Sequence, residues 1–197
     1  MKSRIIKELK EHAPFTLLAS ILGIFLVIII QFVFSQKIPE ESFEIFHSIH
    51  ILASAIVTAG IFYKYSKKIS HSILVGIFGA IIIGSISDII FPFLGGTLLG
   101  LNTKLHLPIF EEPLKIIVFS LGGTLIGVFG KITKIPHFIH VFSSVFASLF
   151  YLISFSSTLN LIHLLISILI IFFAVLIPCC ISDIIFPLLL LKNKKTS

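Results

Sequence analysis

The sequence predicts an all-α integral membrane protein with six transmembrane helices, arranged as two three-helix repeats of inverted topology. Three observations carry that reading. First, 56% of the 197 residues are hydrophobic and 12% are charged, whereas soluble domains hold about 45–50% apolar and about 25% charged residues. Second, the chain contains six apolar runs of the roughly 17–25 residues needed to cross a bilayer core. Third, Ile86-Ser87-Asp88-Ile89-Ile90-Phe91-Pro92 returns unchanged as Ile181-Ser182-Asp183-Ile184-Ile185-Phe186-Pro187. Asp88 and Asp183 are the only aspartates in the chain. An acid inside an apolar run is expensive, so its appearance twice in the same setting points to function.

The first run, 14–34, follows a segment from Met1 to Glu11 that mixes acids with bases. That mixture, an apolar stretch of about 20 residues and the lack of a small-residue cleavage site argue for a retained helix rather than a removable leader. The second run, 44–65, opens with His47-Ser48-Ile49-His50, and the third, 71–94, carries Asp88 and Pro92 near its end. The fourth, 113–130, is short and rich in glycine (Gly122, Gly123, Gly127, Gly130). The fifth, 137–156, opens with His137-Phe138-Ile139-His140. The sixth, 162–191, is over-long and contains Pro178 and Pro187, so a kink at Pro178 is expected.

Charge sets the orientation. With the first helix entering from inside, twelve of the fifteen basic residues fall on the cytoplasmic side and only Lys37, Lys104 and Lys115 fall outside. That imbalance follows the positive-inside rule and places both termini in the cytoplasm of a cell-membrane protein. The net charge of +6 invites a nucleic-acid partner. Basic residues confined to helix ends, rather than gathered on one face, exclude it. The expected partners are the lipid bilayer, a metal cation with protons, and a second copy of the chain, because one copy of this size leaves little room for a wide pathway.

The duplication divides a single membrane domain into repeat 1 (1–100) and repeat 2 (101–197). Each repeat reads as an acid at a helix entrance, an HxxH pair opening the second helix, and an SDIIFP segment closing the third. Three helices is an odd number, so the second copy inserts upside down relative to the first. The plan resembles that of 3+3 inverted-repeat cation transporters, whose pseudo-two-fold axis lies in the membrane plane.

The two aspartates and the paired histidines define the candidate chemistry. At about 1.5 Å per residue, His50 and Asp88 both fall roughly 9–10 Å beneath the outer surface. His47 and His50, three residues apart, share a helix face with His50 at the same depth as Asp88. His137, His140 and Asp183 form the equivalent inner half-site, on the order of 10 Å away within a core of ~30 Å. Glu111, Glu112 and His106 would line the outer mouth, and Glu11 and His12 the inner one. Imidazole with carboxylate suits a divalent metal of the Zn, Fe or Mn class, and the same groups suit proton relay. Protonation would expel the metal, which couples the two. The proline four residues after each aspartate frees a backbone carbonyl, that of Asp88 or Asp183 in a regular helix. Cys179 and Cys180 are candidate soft ligands, although as neighbours they form no disulfide framework, and packing is the commoner role of a buried cysteine.

The function expected is transport of a divalent transition-metal cation, coupled to protons. Alternatives left open by the residues are a membrane-embedded metal-dependent enzyme acting on a lipid-like substrate, and a non-catalytic assembly subunit. No Walker loop, GxSxG, HExxH or dinucleotide fingerprint occurs, which argues against nucleotide-driven and common hydrolytic chemistry.

Overall fold

The computed structural model describes residues 2–30, 38–130, 134–157 and 160–180, with side chains for all of these except 2–13, 15, 134–138 and 179–180. The described chain is all helical. Its elements are α1 (Lys2–Ile28), α2 (Glu40–Ser66), α3 (Ile69–Ser85), a π turn (Ile86–Ile90), α4 (Phe91–Leu98), α5 (Pro108–Glu111), α6 (Pro113–Gly130), α7 (Lys134–Ser154) and α8 (Leu161–Cys180). α3, the π turn and α4 form one continuous rod. A helix keeps its backbone hydrogen bonds within itself, which is what an apolar surrounding demands.

Four helices are long and apolar enough to cross a membrane: Glu40–Ser66, Ile69–Leu98, Pro113–Gly130 and Leu161–Pro178. The stretches Thr16–Ile28 and Ile139–Ser154 are apolar but shorter. The distribution of side chains fits the same solvent. Leu18, Phe25, Phe78, Phe129, Ile162 and Phe173 point outward, while His47, His50, Ser87, Asp88, His140, Ser144 and Ser148 are buried. Water would reverse that arrangement; lipid permits it.

α2 is the central element, packed on α3, α6 and α7, and α7 in turn packs on α1 and α8. The approach of α6 to α2 is set by Gly123 and Gly127. A Cβ at either position would collide with a carbonyl of α2, that of Leu52 or of Ile56 respectively. Two glycines four residues apart thus lie along two carbonyls four residues apart, the small-residue stripe that lets membrane helices touch backbone to backbone. On its other side α2 meets α7 through an aromatic and aliphatic core that includes Phe43, Val145, Leu149, Phe150 and Tyr151.

Two elements run further than the apolar pattern suggests. α2 begins at Glu40 rather than 44, because Glu40 and Glu41 favour the positive end of the helix. α4 continues to Leu98 rather than 94. Gly95 and Gly96 are packing positions inside that helix, tight against Ile170 and Thr103. α1 runs through Pro14 and α8 through Pro178. The bend expected past Pro178 lies outside the described residues.

Candidate metal centre

Asp88 sits in the middle of the π turn, and Pro92 accounts for the turn. In a regular helix the proline ring would press on the Asp88 carbonyl and leave it without a donor. The wider turn relieves that clash, with the Phe91 N–H donating five residues back to the Ile86 carbonyl. In this register the carbonyl that Pro92 cannot serve is that of Ser87, and Ser148 Oγ on α7 donates to it at 3.1 Å. The freed carbonyl is therefore displaced by one residue from the Asp88 position expected in a regular helix, and a serine fills it. Such π turns occur often at functional sites.

The Asp88 carboxylate is fully buried and makes four polar contacts. Oδ2 lies 2.8 Å from His47 Nδ1 and 2.6 Å from His50 Nδ1. Oδ1 accepts from Ser87 Oγ at 2.8 Å and from Ser144 Oγ at 2.7 Å. The two histidines come from consecutive turns of α2. The His47 ring stacks on Phe43 with centroids 5.3 Å apart. A Cβ at Gly84 would meet Ile51 Cδ1 at 2.5 Å, so that glycine makes room for the side chain next to His50. One potential ligand atom from each of His47, His50 and Asp88 lies within 4.8 Å of the others, a group able to hold a metal ion.

α2 starts at Glu40 and α4 ends at Leu98, so His50 and Asp88 each lie about 15 Å from those helix ends at about 1.5 Å per residue. His140 is not in a separate half-site some 10 Å away. Its ring lies 4.6 Å from that of His50, tilted by 41°. Asp183 lies outside the described residues, as do the side chains of His137, Glu11, His12, Cys179 and Cys180.

The residues expected at the outer mouth form an ion-pair cluster rather than a set of bare acids. His106 bridges two glutamates, with Nε2 at 2.6 Å from Glu44 and Nδ1 at 2.9 Å from Glu111. Lys115 pairs with Glu112 at 2.8 Å and reaches Glu44 at 3.4 Å. Tyr151 presents His106: its hydroxyl donates to the Lys104 carbonyl at 2.9 Å and accepts from the His106 backbone N–H at 3.2 Å. Phe43 separates this cluster from the buried group, touching the His106 ring at 5.7 Å and the His47 ring at 5.3 Å.

Sequence reasoning did not single out Ser144, Ser148, Glu44, Phe43 or Tyr151 as part of the site. A signal for the serines was present. The 90-residue offset relating His50 to His140 also relates Ser54 to Ser144 and Thr58 to Ser148. His140, Ser144 and Ser148, each four residues apart, form one polar stripe along α7. No signal marked Phe43 among the 21 phenylalanines. Compared with protein-family models, with curated proteins and with solved structures, the chain matches none.

Proposed function

We propose that the chain is a six-span membrane transporter of a divalent transition-metal cation, built from two inverted repeats and driven by exchange with protons. The observation that carries the reading is the fully buried His47, His50 and Asp88 group inside a bundle with an apolar exterior. Structural needs alone are met more cheaply by hydroxyls and amides than by a carboxylate with two imidazoles. Imidazole nitrogens backed by a carboxylate suit borderline metals, and imidazoles release metal when protonated.

Helix packing supports the inverted repeat. Exchanging α1 with α6, α2 with α7, and the α3–α4 rod with α8 maps three contacting pairs onto contacting pairs. α2 on α6 corresponds to α7 on α1, α2 on α3 to α7 on α8, and α3 on α6 to α8 on α1. The α2–α7 contact maps onto itself, as a two-fold axis between them requires. In this reading Thr16–Ile28 and Ile139–Ser154 complete the six spans, both termini are cytoplasmic, and the His106 cluster faces outward.

The test is uptake of Zn²⁺ or Mn²⁺ into sealed vesicles containing the purified chain, with and without an imposed proton gradient. Uptake that follows the gradient and is abolished by Asp88→Ala is the expected result. Metal flux equal to that of protein-free vesicles rejects transport.

A further inference from the structure

The Asp88 carboxylate has little capacity left for a metal. Each oxygen already serves two groups, imidazoles on one and hydroxyls on the other. A carboxylate so placed accepts, which puts the proton of both rings on Nδ1 and leaves the lone pair on Nε2. Carboxylate, imidazole and open nitrogen in that order is how histidine ligands are oriented toward a metal from behind. His50 Nε2 is buried and has no hydrogen-bond partner among the described residues. An acceptor left open in the interior is costly, and a cation removes that cost.

The group beside it is His140, with ring centroids 4.6 Å apart. Metal–imidazole bonds of about 2.0–2.1 Å allow two ligand nitrogens up to about 4 Å apart, a span on the scale of that ring separation. The two histidines come from different helices, α2 and α7. They are also counterparts under the 90-residue offset of the repeat. Where two counterparts touch, a two-fold axis relating the repeats must pass close by. Inverted-repeat transporters hold their cargo there, near the midplane.

We propose that the cation is held between His50, through Nε2, and His140, and that Asp88 is a positioning residue that fixes the His47 and His50 rings without itself binding metal. The inference rests on the metal-transport reading and names the ligand atoms of that site. A nitrogen-based ligand set selects borderline metals such as Zn²⁺, Co²⁺, Ni²⁺ and Cu²⁺. It discriminates against Mg²⁺ and Ca²⁺, which require oxygen ligands.

The experiment uses the full chain in detergent or nanodiscs, labelled with ¹⁵N in the histidine rings and titrated with Zn²⁺. Without metal, two rings show protonated Nδ1, and Asp88→Asn removes that bias. On addition of Zn²⁺, His50 shifts at Nε2 while its Nδ1–H persists. His50→Ala and His140→Ala each weaken Zn²⁺ binding at least tenfold, and the exposed control His71→Ala leaves it unchanged. Asp88→Asn weakens binding by about 10–100-fold, the range for lost outer-sphere support, yet retains ligation at Nε2. Ligation of His50 through Nδ1, or affinity unaltered in His140→Ala, overturns this inference alone. Failure of the folded wild-type chain to bind Zn²⁺ overturns the transport reading with it.

Discussion

Removing one hydroxyl reads the charge on Asp88. Ser144 Oγ donates to Asp88 Oδ1 at 2.7 Å across the α7 interface with the π turn, and both side chains are fully buried. Between neutral partners, an interhelical hydrogen bond in a membrane bundle contributes about 0.6 kcal/mol on average. A hydrogen bond to an ionised group contributes about 1.5–3 kcal/mol. Four donors converging on one carboxylate describe an anion, so Ser144→Ala should destabilise the fold by about 1.5–3 kcal/mol. Ser144→Thr, which keeps the hydroxyl, should recover most of the loss. Introducing Ser144→Ala into Asp88→Asn should cost only about 0.6 kcal/mol, because the acceptor is then a neutral amide. Denaturation of the four proteins of this cycle in mixed detergent micelles supplies the coupling energy. An equal cost on the Asp88 and Asn backgrounds would refute an anionic hub held by hydroxyl donors.

Three further outcomes follow from the packing. Gly123→Ala and Gly127→Ala should each cost about 1–3 kcal/mol through forced separation of α6 from α2. Gly122→Ala, with open space beside it, should stay within about 0.5 kcal/mol in the same thermal melts; equal losses at all three positions would argue against the glycine stripe. Ser148→Ala should cost about 1 kcal/mol in the native chain but little with Pro92→Ala, because the restored N–H can serve the Ser87 carbonyl. An undiminished cost in that background would disprove the link between Pro92 and Ser148. Phe43→Ala removes the ring between the His106 cluster and His47 and should cost about 3–5 kcal/mol. It should also make His47 reactive to water-soluble imidazole reagents, detected by mass spectrometry; protection equal to that of the native chain would show that Phe43 is not the barrier.

The sequence made the helices and the acid legible for different reasons. Long apolar runs announce themselves by length, and a buried aspartate by its rarity. Helix ends were harder to read. Glu40 and Glu41 look like loop residues by hydropathy, yet they open the first turn of α2, and the apolar run that seems to stop at Leu94 continues through Gly95 and Gly96 inside α4. Each misplaced end shortened a helix by about one turn. The π turn was hidden for another reason. Pro92 predicts a disturbed carbonyl, but whether the disturbance falls on Asp88 or Ser87 depends on the hydrogen-bond register. That register is settled by a serine 61 residues away in sequence.

Asp88 and His50 together argue against a purely structural role for the buried polar group. A network kept only to join helices gains most when every polar atom is satisfied, because each open atom in the interior carries a penalty of about 1–3 kcal/mol. Here the carboxylate is satisfied on both oxygens, while the imidazole it holds presents an open nitrogen among the described residues. Replacing His50 with an apolar residue of similar size would remove that penalty and still leave Asp88 with three donors. Retaining a histidine there makes physical sense when something visits the open nitrogen. That visitor must bring positive charge or a proton, and under the proposed transport it leaves again. A site that holds one face rigid through Asp88 and leaves the other open is suited to such a ligand.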